Sequence, residues 1–182
     1  MAPHTLNPQS IRSLKRLVGA RADQLVWDLN AVYVVGPTST TKIEATSVTP
    51  ASPEPHPYDE IFPIAVTVSQ EAPTFHREGE VGFAYRVLAE NVYVTAIEVV
   101  RVAVVFPEET EVSASLITLG TQGSNVVDCG VFIHTPVGVL AAFQRHPGFG
   151  FGSKAPIKLL ESAAAKALLP SAYELVQIEN AP

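Results

Sequence analysis

What this sequence lacks narrows its chemistry first. One cysteine, Cys129, stands in 182 residues. No intrachain disulfide can form, and nothing demands an oxidising compartment. Charge is scarce too. Asp, Glu, Lys and Arg make up 16 % of the chain, against about a quarter in an ordinary soluble protein. No uncharged apolar run reaches the roughly 18 residues of a membrane-spanning helix, so no membrane span is expected. No Asn-x-Ser/Thr site occurs, and the opening residues lack the basic-then-apolar order of a secretory signal. The formal net charge of −6 argues against nucleic acid as a partner of the whole molecule. These absences lead to an expectation of a soluble, cytoplasmic protein. The low charge further suggests that a partner or another copy covers some apolar surface.

The chain is long enough to bury about 70 % of the surface its unfolded form exposes, and 47 % of it is apolar. One domain over residues 1–182 is expected. An N-terminal amphipathic helix would occupy 1–20, an antiparallel β core 22–134, and a helical part with a tail 135–182. Asn7-Pro8 is a helix start, since Asn caps and Pro fits the first helical position. Ile11, Leu14, Leu17 and Val18 then share one face, opposite Arg12, Lys15 and Arg16. Such a helix could lie on anionic lipid or RNA, but a greasy stripe on the core with charges in water is the plainer reading. From Leu25 to Val35 the period is two, which reads as one half-buried strand. Residues 42–48 suggest a short strand. Five prolines between 50 and 63 exclude a central strand there. Residues 64–69 and 81–87 alternate as two more strands.

The stretch Val92–Phe106, VYVTAIEVVRVAVVF, is apolar at nearly every position and contains neither Gly nor Pro. It reads as a single long strand, covered on both faces and paired with 81–87 as an antiparallel hairpin. At about 3.3 Å per residue it would span roughly 50 Å, more than one small core easily covers. Tyr93, Ile97 and Val99 lie on one of its faces and are the expected docking residues for a partner. Its charges, Glu98 and Arg101, differ in parity, so each should face a different side and meet a partner charge or the sheet margin. Residues 112–119 fit a strand or a helix equally well, and 126–133 fits a strand. Thr135-Pro136 reads as a cap and first residue of a short helix to about Arg145. A second helix is expected over Ser153–Leu169, ended by Pro170, then a strand near Tyr173–Ile178. The fold class is therefore α+β: an antiparallel sheet of about four to six strands with an N-terminal helix and two C-terminal helices packed on it.

Each candidate chemistry has a plainer reading. GFGFGSK at 148–154 resembles a phosphate loop only in composition, because Ser precedes Lys and the Gly-Lys pair is missing. Its rings, Phe149 and Phe151, are better read as partner-binding side chains on a flexible loop, and the plainest reading of the segment is a connector. Asp128, Cys129 and His134 could supply a thiol with a base, but residues five apart on a strand face opposite sides. His4, His56, His76, His134 and His146 show no zinc-type spacing. No catalytic, cofactor-binding or metal-binding residue is assigned, and no cofactor is expected.

The element order resembles the SecB-like chaperones, including those associated with toxin–antitoxin systems. The resembling stretches are Leu14–Tyr33 (a helix running into a first strand), Glu80–Phe106 (a hairpin) and Thr135–Leu169 (a helical end). The family's Pro-Tyr-x-Arg-Glu signature is replaced here by TPVGVLAAFQRH. The resemblance implies an oligomer that holds unfolded polypeptide on apolar surface without ATP. The expected function is a non-enzymatic protein- or peptide-binding module, chaperone-like or scaffold-like and homo-oligomeric. The alternatives are an enzyme or small-ligand protein whose site is assembled in three dimensions, and a structural assembly subunit.

Overall fold

The structure is a computed structural model that describes residues 5–28, 31–46, 63–75, 85–105, 118–119, 125–143 and 158–179. Helix α1 (Pro8–Leu17) forms as its sequence requires. The Asn7 side chain accepts a hydrogen bond from the Ser10 amide at 2.8 Å, and Pro8 opens the first turn. Gly19, at φ +84°, turns the chain out of the helix in a conformation that favours glycine. Leu14 is fully buried, Ile11, Leu17 and Val18 pack partly against the core, and Arg12 and Arg16 stay in water. The amphipathic stripe is therefore used by the protein's own core.

Two antiparallel sheets dominate the fold. The first has the order β4-β3-β2-β1-β5, built from β1 (Arg21–Asp28), β2 (Ala31–Val35), β3 (Thr40–Ala45), β4 (Ile64–Ser69) and β5 (Arg86–Tyr93). The single strand expected from Leu25 to Val35 is two strands. Asp28 pairs with Ala31, so β1 and β2 are antiparallel neighbours and not one strand. The second sheet has the order β10-β9-β8-β6-β11, with β7 (Thr118–Leu119) beside β6. Its strands are β6 (Ala96–Val105), β8 (Asn125–Thr135), β9 (Gly138–Phe143), β10 (Leu159–Leu160) and β11 (Tyr173–Ile178).

The expected 15-residue strand is cut in two, and each half belongs to a different sheet. β5 pairs with β1, whereas β6 pairs with β8 and β11. The hairpin expected between 81–87 and the long strand therefore does not form. Val94 and Thr95 are the corner. The Val94 amide donates to the Ala20 carbonyl at 3.0 Å, while the Thr95 amide donates to the His134 carbonyl at 2.8 Å. The break falls near the start of the stretch: Val92 and Tyr93 end β5, and Ala96–Val105 forms β6.

The expectation that this stretch is covered on both faces holds for β6. Ile97 and Val99 join a first core with Leu14, Leu25, Trp27, Val131 and Ile133. Val100 and Val102 join a second core with Phe132, Phe143 and Ala165 on the opposite side of the sheet. A bulge in β8 adjusts the two faces. Val100 pairs with Gly130 and Arg101 with Asp128, leaving Cys129 as the extra residue.

The helical end is the main correction. Thr135 pairs with Gly138 across a turn of Pro136 and Val137, and Thr135 Oγ1 donates to the Gly138 carbonyl at 2.7 Å. Residues 138–143 then return as β9. A Thr-Pro step suits a turn as well as a helix start, and Gly138 at φ +143° favours the turn. Of the helix expected over Ser153–Leu169, only α2 (Ser162–Ala167) forms, preceded by β10; residues 153–157 lie outside the described residues. The two C-terminal helices thus become one short helix and a hairpin. β11 falls where the sequence places it.

Candidate functional site

The five expected partner-binding residues do not form one surface. Tyr93 is 56 % exposed, at the end of β5. Ile97 and Val99 are 0 % and 2 % exposed, inside the first core. Their apolar face is covered by α1 and the first sheet, so in the folded chain they are core residues and not a docking face. Phe149 and Phe151 lie outside the described residues, as does the whole 148–154 segment. The outer face of the first sheet is closed by aromatic rings that the sequence did not single out. Phe75 sits edge-on to Tyr33 with centroids 5.0 Å apart and stacks on Tyr85 at 4.8 Å.

Both strand charges find partners on opposite faces, as their parities require. Arg101 Nε donates to Asp128 Oδ1 at 2.8 Å, and Arg101 Nη2 lies 3.3 Å from Oδ2. The Asp128 side chain is 2 % exposed, and its Oδ2 also accepts the Leu6 amide at 2.8 Å. This network ties the segment before α1 to the middle of the second sheet. The hydrogen bond that Arg101 donates to Asp128 raises the Arg101 pKa above its ordinary value. On the other face, His134 Nε2 lies 2.6 Å from Glu98 Oε2. A carboxylate only accepts, so Nε2 carries the hydrogen and the ring is held by that bond. Nδ1 has no hydrogen-bond partner among the described residues.

The thiol–imidazole pair considered from the sequence does not assemble. The β8 bulge turns Cys129 into the second core, on the same side of the sheet as His134. Five residues of strand nevertheless separate them by roughly 16 Å. Cys129 Sγ points at the Val100 carbonyl, 3.6 Å away. Burial, with Asp128 beside it, pushes its thiol up to about 12, so no thiolate is present near neutral pH. Among the described residues, no group of three or more His, Cys, Asp or Glu could hold a metal ion. His4, His56, His76 and His146 lie outside them.

A cleft of about 400 Å³ opens where the β8–β9 turn meets β10 and the start of α2. Pro136, Val137 and Leu160 supply apolar lining; Thr95, His134, Glu161 and Ser162 supply polar lining. Val137 is 63 % exposed, the most exposed of the large apolar side chains among the described residues. Glu161 occupies the cap position of α2, and its side chain makes no capping hydrogen bond and has no ion-pair partner among the described residues. Among the described residues no Lys or Arg lines the cleft. Sequence reading missed this site because it places residues 135–145 in a helix, which conceals the turn. Thr135-Pro136-Val137-Gly138, a Thr-Pro step closing on a glycine, was the available signal.

In comparison with known proteins, no family model matches the chain, and neither a curated protein nor a solved structure matches it. Among the described residues no helix is long and apolar enough to cross a membrane.

Proposed function

We propose that this protein is a non-enzymatic binding module, chaperone-like or scaffold-like, that takes a protein or peptide segment at the cleft beside the β8–β9 turn. The observation that carries this reading is the pairing of a strongly exposed apolar lip, Val137, with an open cleft against the terminal strand of the second sheet. A lone exposed valine is ordinary. One placed at the mouth of a cleft, next to a strand end, offers an extended segment both an apolar contact and a sheet margin. The buried, protonated Cys129 and its separation from His134 favour binding over thiol chemistry. Homo-oligomerisation and a cytoplasmic location belong to the same proposal.

The test uses an unfolded client and a hydrophobic dye. The protein should suppress client aggregation, and Val137→Asp should weaken that effect while leaving the circular dichroism spectrum unchanged. Inertness of the wild-type protein in both assays overturns the proposal. A second reading, a small-ligand site, is favoured by one observation: a carboxylate-held imidazole with a free Nδ1 lines the same cleft. Saturable shifts of the His134 ring resonances with a small molecule, without client binding, would select it.

A further inference from the structure

We infer that the cleft beside the β8–β9 turn selects a basic side chain, Lys or Arg, of the bound segment, next to an apolar residue that rests on Val137. This rests on the peptide-binding reading and specifies its partner. Of the polar groups that line the cleft, the Glu161 carboxylate only accepts hydrogen bonds, and the hydroxyls can accept as well as donate. Glu161 presents its carboxylate, exposed at the mouth. Thr95 and Ser162 present exposed hydroxyl oxygens. An ammonium carries three donors and a guanidinium five, and neither has an acceptor, so a basic side chain can donate to the Glu161 carboxylate and to these hydroxyls, where an acidic one would set two like charges together. The formal charge balance agrees. Glu98 lies behind His134, Glu161 stands at the mouth, and among the described residues no Lys or Arg lines the cleft. Lys158 and Lys166 are near in sequence, but neither contributes to the lining. The whole chain, at −6, also attracts a basic segment on approach. A long aliphatic stem suits the remaining surface, since Lys and Arg lay their methylenes on apolar walls while the head group stays polar. Pro136, Val137 and Leu160 supply such walls.

The experiment compares three labelled peptides by fluorescence anisotropy. All share one apolar sequence and differ only at a central position: Lys, norleucine or Glu. The full-length protein should bind them in that order, with Lys favoured over norleucine by about threefold to tenfold, the range of an ion pair that keeps some solvent contact. Raising the salt to 0.5 M should shrink that preference, and Glu161→Gln should abolish most of it. Because the Glu161 side chain makes no capping bond, the variant should fold, which circular dichroism checks. Equal binding of the Lys and norleucine peptides overturns the basic-residue selection and leaves the peptide-binding reading standing. A Lys preference that survives Glu161→Gln also overturns it, by placing the selectivity elsewhere. Binding of none of the three overturns both.

Discussion

Replacing Asp128 with Asn should cost the fold about 2–4 kcal/mol. The Asp128 side chain is 2 % exposed and accepts from three donors: Nε and Nη2 of Arg101, and the Leu6 amide. A hydrogen bond to a charged group contributes about 1.5–3 kcal/mol, and breaking a buried ion pair by removing one partner costs about 3–5 kcal/mol. The upper end is discounted because the Arg101 side chain is 28 % exposed and can be partly rehydrated. Asparagine keeps the shape and one acceptor oxygen, but its amide group then faces donors. Against a total stability of about 5–15 kcal/mol, the loss should lower the urea midpoint by about 1–2 M. Hydrogen exchange supplies a local readout, because the Leu6 amide loses its acceptor and should exchange faster than the amides of β6. The double variant Arg101→Met/Asp128→Leu should recover much of the loss, since apolar residues of similar size often replace a buried pair without penalty. A midpoint unchanged in Asp128→Asn, or a double variant no more stable than the single one, would refute this account of the network.

Three further outcomes are expected. Gly130→Ala should destabilise by about 3 kcal/mol or more, because an added Cβ would lie 2.5 Å from the Ala142 carbonyl oxygen and closer still to backbone and side chain of Phe143; a thermal melt matching wild type would show that β8 and β9 do not approach so closely there. Cys129 should resist a disulfide-exchange reagent at pH 8 until urea unfolds the chain, and rapid reaction of the native protein would contradict its burial. Its thiol is pushed from an ordinary 9.0 up to about 12. The stability linked to it is therefore complete below about pH 9 and is lost as pH rises from there towards 12, by about 1.4 kcal/mol per pH unit in that window. Cys129→Ala should remove this component from a pH series of urea melts.

The sequence by itself determined α1, β4, β8 and β11, and which side chains along a strand share a face. Asn7 and Pro8 start α1 because capping is a local hydrogen bond between near neighbours. The alternation of Ile64–Ser69 and Tyr173–Ile178 marks β4 and β11 because side-chain direction in a strand depends only on parity. The same rule put Glu98 and Arg101 on different faces, where His134 and Asp128 meet them. Tertiary structure alone decided what each strand lies beside. Periodicity records that both faces of 92–106 are apolar; it does not record that the chain leaves one sheet at Val94 and enters another at Thr95. Hydrogen bonds to Ala20 and His134, far apart in sequence, make that corner. The bulge at Cys129 is likewise invisible locally, yet it reverses the face of that thiol relative to His134. The cleft joins Val137 to Glu161 across more than twenty residues of chain. Local rules fix burial direction, but the partner of a strand edge is chosen by long-range contacts, and here those contacts make the candidate site.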